Sequence, residues 1–336
     1  MKRILQIAAI VAVTVFFLWL FLRNANLREV GQILRGTDLT WILIGFVVNA
    51  TALVLRTVRW QTLLDPESPP PFYATFFANT VGYMLSTVLP IRAADVARPA
   101  LLARRTSLRF SGALGTVLTE RILDLTSILT LFVYFAFRRW NEFSRNPSFY
   151  IVRGGAIACV AILGALGLLF VGLTFFRPKV RALHDRLGLI LPQRFRASWM
   201  HFFDAFTESL EIARNRPLFT KVVLCTIGVW ACLTSQFWFA TKAVDHPLPF
   251  DSSFFVTGVT TVGLAIPTPG GIGGFHKACQ LVLTRFYDFN VESSVAVAVL
   301  FHIIGTLPVL VIGLALFLRE GVRWKDVTSK DPASEG

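Results

Sequence analysis

The run LPIRAADVARPALL sets Arg92, Asp95 and Arg98 three residues apart, directly after Pro90. If Asp95 opens a helix, the two guanidiniums flank its N-terminus, where free backbone N–H groups already favour an anion. Two readings stand: a seat for a phosphate, and a loop with an ordinary ion pair. Further on, LTERILDLTSIL carries Glu120, Arg121 and Asp124, with the two carboxylates four residues apart on one helix face. A charge at the bilayer centre costs at least ~2.5–3.5 kcal/mol on insertion scales, so ionisable groups at that depth are functional by default. Arginines such as Arg92 or Arg98 are the natural partners. Three roles are open: an ion-pair latch, direct handling of substrate or protons, and placement in the interface. In LRTVRWQTLL, Arg56 and Arg59 share a face beside Trp60. Such residues either anchor a helix end at headgroup level or offer a guanidinium pair to an anionic headgroup, since arginine matches phosphate bidentately.

The segment IPTPGGIGGFHKACQ has Pro267, Pro269, Gly270, Gly271, Gly273 and Gly274 within eight positions, too many for a regular helix. Glycine there lets a second backbone or a ligand approach closely, which suits a gating loop. It is neither a GxxxxGK[ST] phosphate loop nor a strand-borne dinucleotide turn. His276 follows at once, and a lone histidine is more often a hydrogen-bonded packing residue than a ligand; the same discount applies to His302. HExxH, GxSxG and paired-aspartate metal motifs are absent, and Cys159, Cys225, Cys232 and Cys279 show no CxxC spacing. No metal, no cofactor and no enzymatic activity of its own are therefore expected.

These residues have to be positioned by apolar helices. The chain is 54% hydrophobic and only 16% charged, against about 25% charged in soluble domains, so it reads as an integral membrane protein. Ile4 to Leu22 is an apolar run of 19 residues, roughly 28 Å of helix and close to the hydrocarbon thickness. Lys2-Arg3 precede it, but the core is long for a signal peptide and no small-x-small site follows, so a retained helix is expected. Further spans are expected at Leu39–Leu55, the second half of Phe110–Phe137, Gly154–Phe176, Leu218–Ala240 and Val291–Leu318. Two more apolar segments, 72–91 and 250–269, contain Asn79, Ser86 and Thr87 in one and Thr257, Thr260, Thr261 and glycines in the other. Irregular backbone at membrane depth survives only inside protein or against a wet cavity, so these read as re-entrant or broken helices.

The net charge of +13 does not point to nucleic acid, because the basic residues cluster in short links between apolar spans. Residues 92–109 and 177–217 are such links, and Lys and Arg there mark the cytoplasmic side. The expected topology is multi-pass in the cytoplasmic (inner) membrane with both termini inside. The loop with Arg23, Arg28 and Arg35 is its one exception. Residues 71–90 align with 249–268: Pro71-Phe72 on Pro249-Phe250, Phe76-Phe77 on Phe254-Phe255, Val81 on Val259, and upstream Trp60 on Trp238. The spans before the two broken segments run in opposite directions in this topology. The expectation is an inverted internal repeat, the geometry of alternating access. Five parts follow: residues 1–38, a helix and loop; 39–137, the first repeat; 138–217, a linking span and basic segment; 218–318, the second repeat; and 319–336, a disordered tail.

The motifs RTVRWQTLL, LPIRAADVARPALL, LTERILDL and above all IPTPGGIGGF resemble the membrane domain of the lysylphosphatidylglycerol synthase family, also called the flippase-like domain. The resemblance covers about residues 5 to 318. It implies a polytopic helical bundle that moves lipids across a membrane: aminoacylated phosphatidylglycerol in the full-length synthases, polyprenyl-phosphate sugars as proposed for some relatives. Arg92, Asp95, Arg98, Glu120, Arg121, Asp124, Pro269, Gly270, Gly271 and Gly273 fall on family motif positions. This chain departs at Ala94, where the family usually has glycine, and at His276, where it often has glutamate. The synthases' aminoacyl-transferase domain is expected to be missing. The function expected is transport of an anionic or modified phospholipid, or a polyprenyl-phosphate lipid, held through its headgroup. The alternatives are a membrane scaffold for an envelope-synthesis enzyme, and a membrane-embedded transferase with Glu120 and His276 as acid and base.

Overall fold

The computed structural model of the 336-residue chain describes residues 2–65, 68–88, 94–175, 193–264, 266 and 268–320. Among these the protein is all-helical. In chain order the helices are α1 (Lys2–Leu22), α2 (Leu27–Arg35), α3 (Leu39–Leu64), α4 (Phe72–Val88), α5 (Ala94–Ala103) and α6 (Phe110–Arg138). They continue with α7 (Trp140–Phe143), α8 (Phe149–Phe175), α9 (Gln193–Glu211), α10 (Arg216–Ala243), α11 (Ser252–Gly263), α12 (Gly274–Phe286) and α13 (Val291–Arg319). Polar residues set several starts. Asp38 accepts from the Thr40 amide, Asn215 from Leu218 and Asn290 from Ser293, each satisfying an amide that the first turn leaves free.

Of the six crossings the sequence predicts, α3, α8, α10 and α13 are long and apolar enough to span a membrane. At 29 residues, α6 is equally long, but it carries Glu120, Arg121 and Asp124 in its middle. In α1 the shorter apolar stretch is Ala12–Leu22. The second span does not stop at Leu55; α3 runs on to Leu64. The arginines that suggested an end are accommodated inside the protein, as described below, so the helix has no reason to break there.

Helices α3 and α10 lie side by side and antiparallel. Trp41 stacks on Phe239 near one end, Leu55 packs against Gly228 further along, and the Asp38 amide donates to the Ala243 carbonyl. On either side of this pair sits a helical hairpin, α4 with α5 and α11 with α12. Their helices have 17, 10, 12 and 13 residues, all below the roughly 20 that a bilayer needs. The α11–α12 crossing is close enough that a Cβ on Gly263 would lie 2.7 Å from the Gly274 carbonyl oxygen, and small residues are what permit such an approach between helices in a membrane. Beyond the hairpins, α6 packs on α3, α5, α10 and α11, and α13 packs on α10, α12, α3 and α4. Exchanging α3–α6 for α10–α13 in order maps every one of these packed pairs onto another.

The ends are clamped by ions. Arg139, just after α6, donates from Nε and Nη2 to the two oxygens of Asp251 at 2.8 Å each, fixing the start of the second hairpin. Those hydrogen bonds hold the Asp251 carboxyl below the usual carboxylate range. At the opposite end Arg105 pairs with Glu320 at 2.8 Å, and Tyr73 donates to the same carboxylate.

Candidate functional site

In the first half, α3, α4, α5 and α6 converge on one buried ionic cluster. Glu120 lies at its centre with no solvent exposure and accepts from Arg98 Nη2 at 2.6 Å and from Arg59 Nη2 at 3.3 Å. Arg59 reaches one turn further, from Nη1 to Asp124 at 2.8 Å. Arg121 pairs with Asp95 at 2.9 Å and with Asp124 at 3.7 Å. Each spacing noted in the sequence therefore has a spatial meaning: Glu120 and Asp124 face the same guanidinium because they lie four apart on α6.

The cluster has a floor of aromatics. The Arg98 guanidinium lies 4.3 Å from the Trp60 ring centroid and 4.9 Å from that of Tyr83, placements in which a cation is attracted to the ring face. Trp60 is itself held by Nε1 donating to Thr116 at 3.0 Å. Tyr83 Oη accepts from Arg98 at 3.3 Å and from Arg121 at 3.4 Å. Arg98 fits only because Gly82 faces it, since a Cβ there would stand 2.3 Å from Arg98 Cγ.

Arg56 completes the cluster and differs from the rest. Its guanidinium lies 4.6 Å from the Tyr83 ring, its Nε has no hydrogen-bond partner, and it forms no ion pair among the described residues. Among the described residues four guanidiniums thus face three carboxylates, and Arg56 is the one without an ion pair, acting on Asp124 only at longer range.

In the second half the corresponding place is uncharged. Pro269–Gly271 forms a single 3-10 turn, and Gly270 (φ 59°) and Gly273 (φ 97°) take conformations that side chains disfavour. A Cβ on Gly270 would lie 2.9 Å from the Thr87 carbonyl oxygen at the end of α4, so this turn sits against the tip of the first hairpin. His276 is buried; Nδ1 accepts from the Gly273 amide at 3.4 Å, and its ring lies 4.7 Å from that of His302 and 5.1 Å from Phe21.

The structure thus brings Arg56, Arg59, Asp95, Arg98, Glu120, Arg121 and Asp124 into one cluster, and Pro269, Gly270, Gly271, Gly273, Gly274 and His276 into one loop and helix start. Arg92 and Pro267 lie outside the described residues. Asp95 falls in the first turn of α5 as the sequence suggests, but Arg98 points inward to Glu120 rather than flanking an open helix end. Sequence reasoning missed Tyr83, the residue that touches the most arginines here. Its only signal is a phenol in the middle of α4, four residues before Thr87. A separate cavity of about 840 Å³ opens between α3, α6 and α9, lined by Asp65, Arg109, His201, Asp204 and Glu208 among others.

An all-helical membrane protein with its charges paired inside and two short hairpins meeting near a glycine turn defines a polytopic class whose interior, not its surface, carries the chemistry. Residues 6–313 match the family model described as the lysylphosphatidylglycerol synthase TM region, and the chain belongs to that family. It is 21% identical over 234 residues to the UPF0104 membrane protein MJ1078 of Methanocaldococcus jannaschii, covering 69% of this chain and 92% of that one. It is 23% identical over 347 residues to Glycosyltransferase AglD of Haloferax volcanii, where the match covers 94% of this chain and 54% of AglD. This chain thus spans about half the length of AglD.

Proposed function

We propose that the protein is a flippase-like transporter that moves a lipid with an anionic headgroup across the cytoplasmic membrane. The observation that carries this reading is the unbalanced cluster: four buried or half-buried guanidiniums around three carboxylates, with Arg56 unpaired beside Tyr83. A surplus cation at membrane depth is stabilised when a phosphate occupies it, and guanidinium is suited to that oxyanion. The latch Arg59–Glu120–Arg98 holds the first hairpin to α3 and α6, while Arg56 receives the headgroup and the acyl or prenyl chains stay in lipid. We read the two hairpins as re-entrant and α3–α6 with α10–α13 as an inverted repeat. Support comes from the antiparallel α3–α10 pair and from packed pairs that match under the exchange of halves. Both termini are assigned to the cytoplasm.

The test uses the full chain in vesicles with fluorescently labelled phosphatidylglycerol. Arg56→Gln should slow transport at least tenfold and lower thermal stability less than Arg59→Gln or Arg98→Gln does, because no carboxylate loses a hydrogen-bonded partner among the described residues; Arg56→Lys should restore part of the rate. Normal transport by Arg56→Gln, or none by the native chain with any anionic lipid, refutes the proposal. The scaffold reading is favoured by one observation, the similarity to a region of a protein named as a glycosyltransferase. It predicts a stable complex with a separately encoded enzyme and no lipid movement. The transferase reading needs Glu120 and His276 at one pocket; Glu120 is engaged by Arg59 and Arg98, and His276 by Gly273 and His302.

A further inference from the structure

We propose that the His276–His302 pair is a proton-binding site, and that one proton taken up at His276 Nδ1 releases the glycine loop of the second hairpin. The inference rests on the transporter reading only for its purpose; the site itself is defined by geometry. His276 occupies the third position of α12, and its Nδ1 accepts from the Gly273 amide at the helix start, a capping arrangement. That bond requires a lone pair on Nδ1, so the ring carries its proton on Nε2 while the loop is closed. Protonation at Nδ1 turns the acceptor into a donor. Two N–H groups then face each other, and Gly273 must move.

The surroundings add to the effect. His276 sits between the Phe21, Phe275 and His302 rings, with centroids at 5.1, 5.6 and 4.7 Å. A charge in such a cage has lost its water and gains no acid in return. Among the described residues, α11 contributes no titratable group and residues 12–22 of α1 contribute none. On α12 itself stand Lys277, which donates to Gln280, together with Cys279 and Arg285; Arg23 follows α1. Helix α13 carries Glu292 and Arg319 near its ends besides His302, and Glu292 lies ten residues from His302, about 15 Å along the helix. With no nearby carboxylate, and with each ring opposing a charge on the other, the pair accepts a single proton, and only as the loop opens to water. Proton uptake and opening are thus linked, since a ligand that binds one state better shifts the population toward it.

The loop's other contacts make it a suitable element to be moved. Phe17 presses on Gly273, and the turn at Gly270 abuts Thr87 of the opposite hairpin, so displacement at Gly273 is felt at the meeting point of the two tips. The coupling ion assigned to this site is therefore H⁺, which for an anionic lipid also offsets the charge that moves.

The experiment places Ile272→Cys in a chain whose four cysteines are replaced by alanine, and measures its rate of labelling by a soluble maleimide at fixed thiolate concentration. On going from pH 8 to pH 5 the rate should rise about tenfold, the linkage of one proton over one unit or more. His276→Gln keeps a side-chain acceptor for the Gly273 amide but cannot titrate, so its labelling should be slow and independent of pH. Nitrogen-15 spectra of histidine-labelled protein should show His276 as the Nε2–H tautomer at pH 8. A pH dependence that survives in His276→Gln, a native rate that does not change with pH, or an Nδ1–H tautomer overturns the proposal. Because labelling does not require transport, a loop that opens with acid in vesicles that move no lipid would leave this site standing and defeat the transporter reading alone.

Discussion

Replacing Glu120 with glutamine removes the carboxylate at the centre of the charge cluster and is the sharpest test of the latch. Glu120 accepts from Arg98 at 2.6 Å and from Arg59 at 3.3 Å, and all three side chains are fully buried. In the variant Arg59 keeps Asp124 at 2.8 Å, but Arg98 has no carboxylate left among the described residues and rests on Tyr83 and Trp60. Removing one partner of a buried ion pair costs about 3–5 kcal/mol. With an unfolding entropy of about 2.1 cal/mol/K per residue, that lowers the melting temperature of a chain of this length by about 4–7 °C. Helices that persist in detergent reduce the entropy and enlarge the shift.

The discriminating measurement is a double-mutant cycle by thermal unfolding in detergent. Arg98→Gln alone leaves Glu120 held by Arg59 only; Arg98→Gln with Glu120→Gln removes charge and counter-charge together. If the latch exists, the double variant is clearly more stable than the sum of the singles predicts, with a coupling of about 2 kcal/mol or more, as found for residues sharing one network. Additivity within about 0.5 kcal/mol would refute it. Arg56→Gln serves as the control, with a smaller expected change than either single variant because Arg56 forms no ion pair among the described residues.

Two further outcomes are expected. The Asp251 carboxyl, held below its unfolded value by the Arg139 hydrogen bonds, contributes stability that is present above pH 3.8 and lost as pH falls through the lower folded value; Asp251→Asn should remove that acid-side loss, about 1 kcal/mol for a partly exposed pair, read as melting temperature against pH. Single cysteines at positions 186 and 196 should resist an impermeant thiol reagent in intact cells and react after lysis, because the proposed topology puts the basic segment around them on the cytoplasmic side; labelling of intact cells would reverse that orientation.

The sequence made the ion cluster legible through residue type and spacing. Arg59, Arg98, Glu120 and Asp124 are charges in apolar company, and such charges must find one another. It could not say which arginine would be left over, because that depends on three helices converging: Arg98 turns to Glu120 only where Gly82 admits it, and Arg121 is taken up by Asp95. Tyr83 stayed hidden for a related reason. A phenol in an apolar helix has no periodic signature, and its role appears only once the arginines surround it. The glycine loop was readable from composition, whereas its contact with Thr87 joins residues almost two hundred positions apart and has no local signal. The second span was read short because Arg56 and Arg59 look like a boundary when their partners are unseen.

Counting from the helix starts sets the two halves side by side as the proposed inverted repeat would. By that count, one residue off the register that puts Trp60 on Trp238, Arg59 in α3 stands where Gln236 stands in α10, and in α6 and α13 Glu120 matches Phe301, Arg121 matches His302 and Asp124 matches Gly305. The contacts follow the positions. Arg59 reaches Asp124 in the first half; in the second, the Gln236 amide oxygen lies 3.0 Å from where a Cβ on Gly305 would be. Phe301, at the place of Glu120, meets Phe237, the neighbour of Gln236, edge to face at 5.5 Å between centroids. The Gln236–Gly305 approach, at the places of Arg59 and Asp124, accords with the proposed inverted repeat. The halves need not act alike. Salt bridges fix the first hairpin, since separating its ions in a dry interior is costly. In the second, Arg139 clamps the start at Asp251, but the glycine loop itself has ring contacts and one backbone bond to an imidazole, the bond the proposed proton would undo. In the transporter proposed above one of two gates must yield first, and the contrast between paired ions and a single imidazole bond assigns that part to the glycine loop.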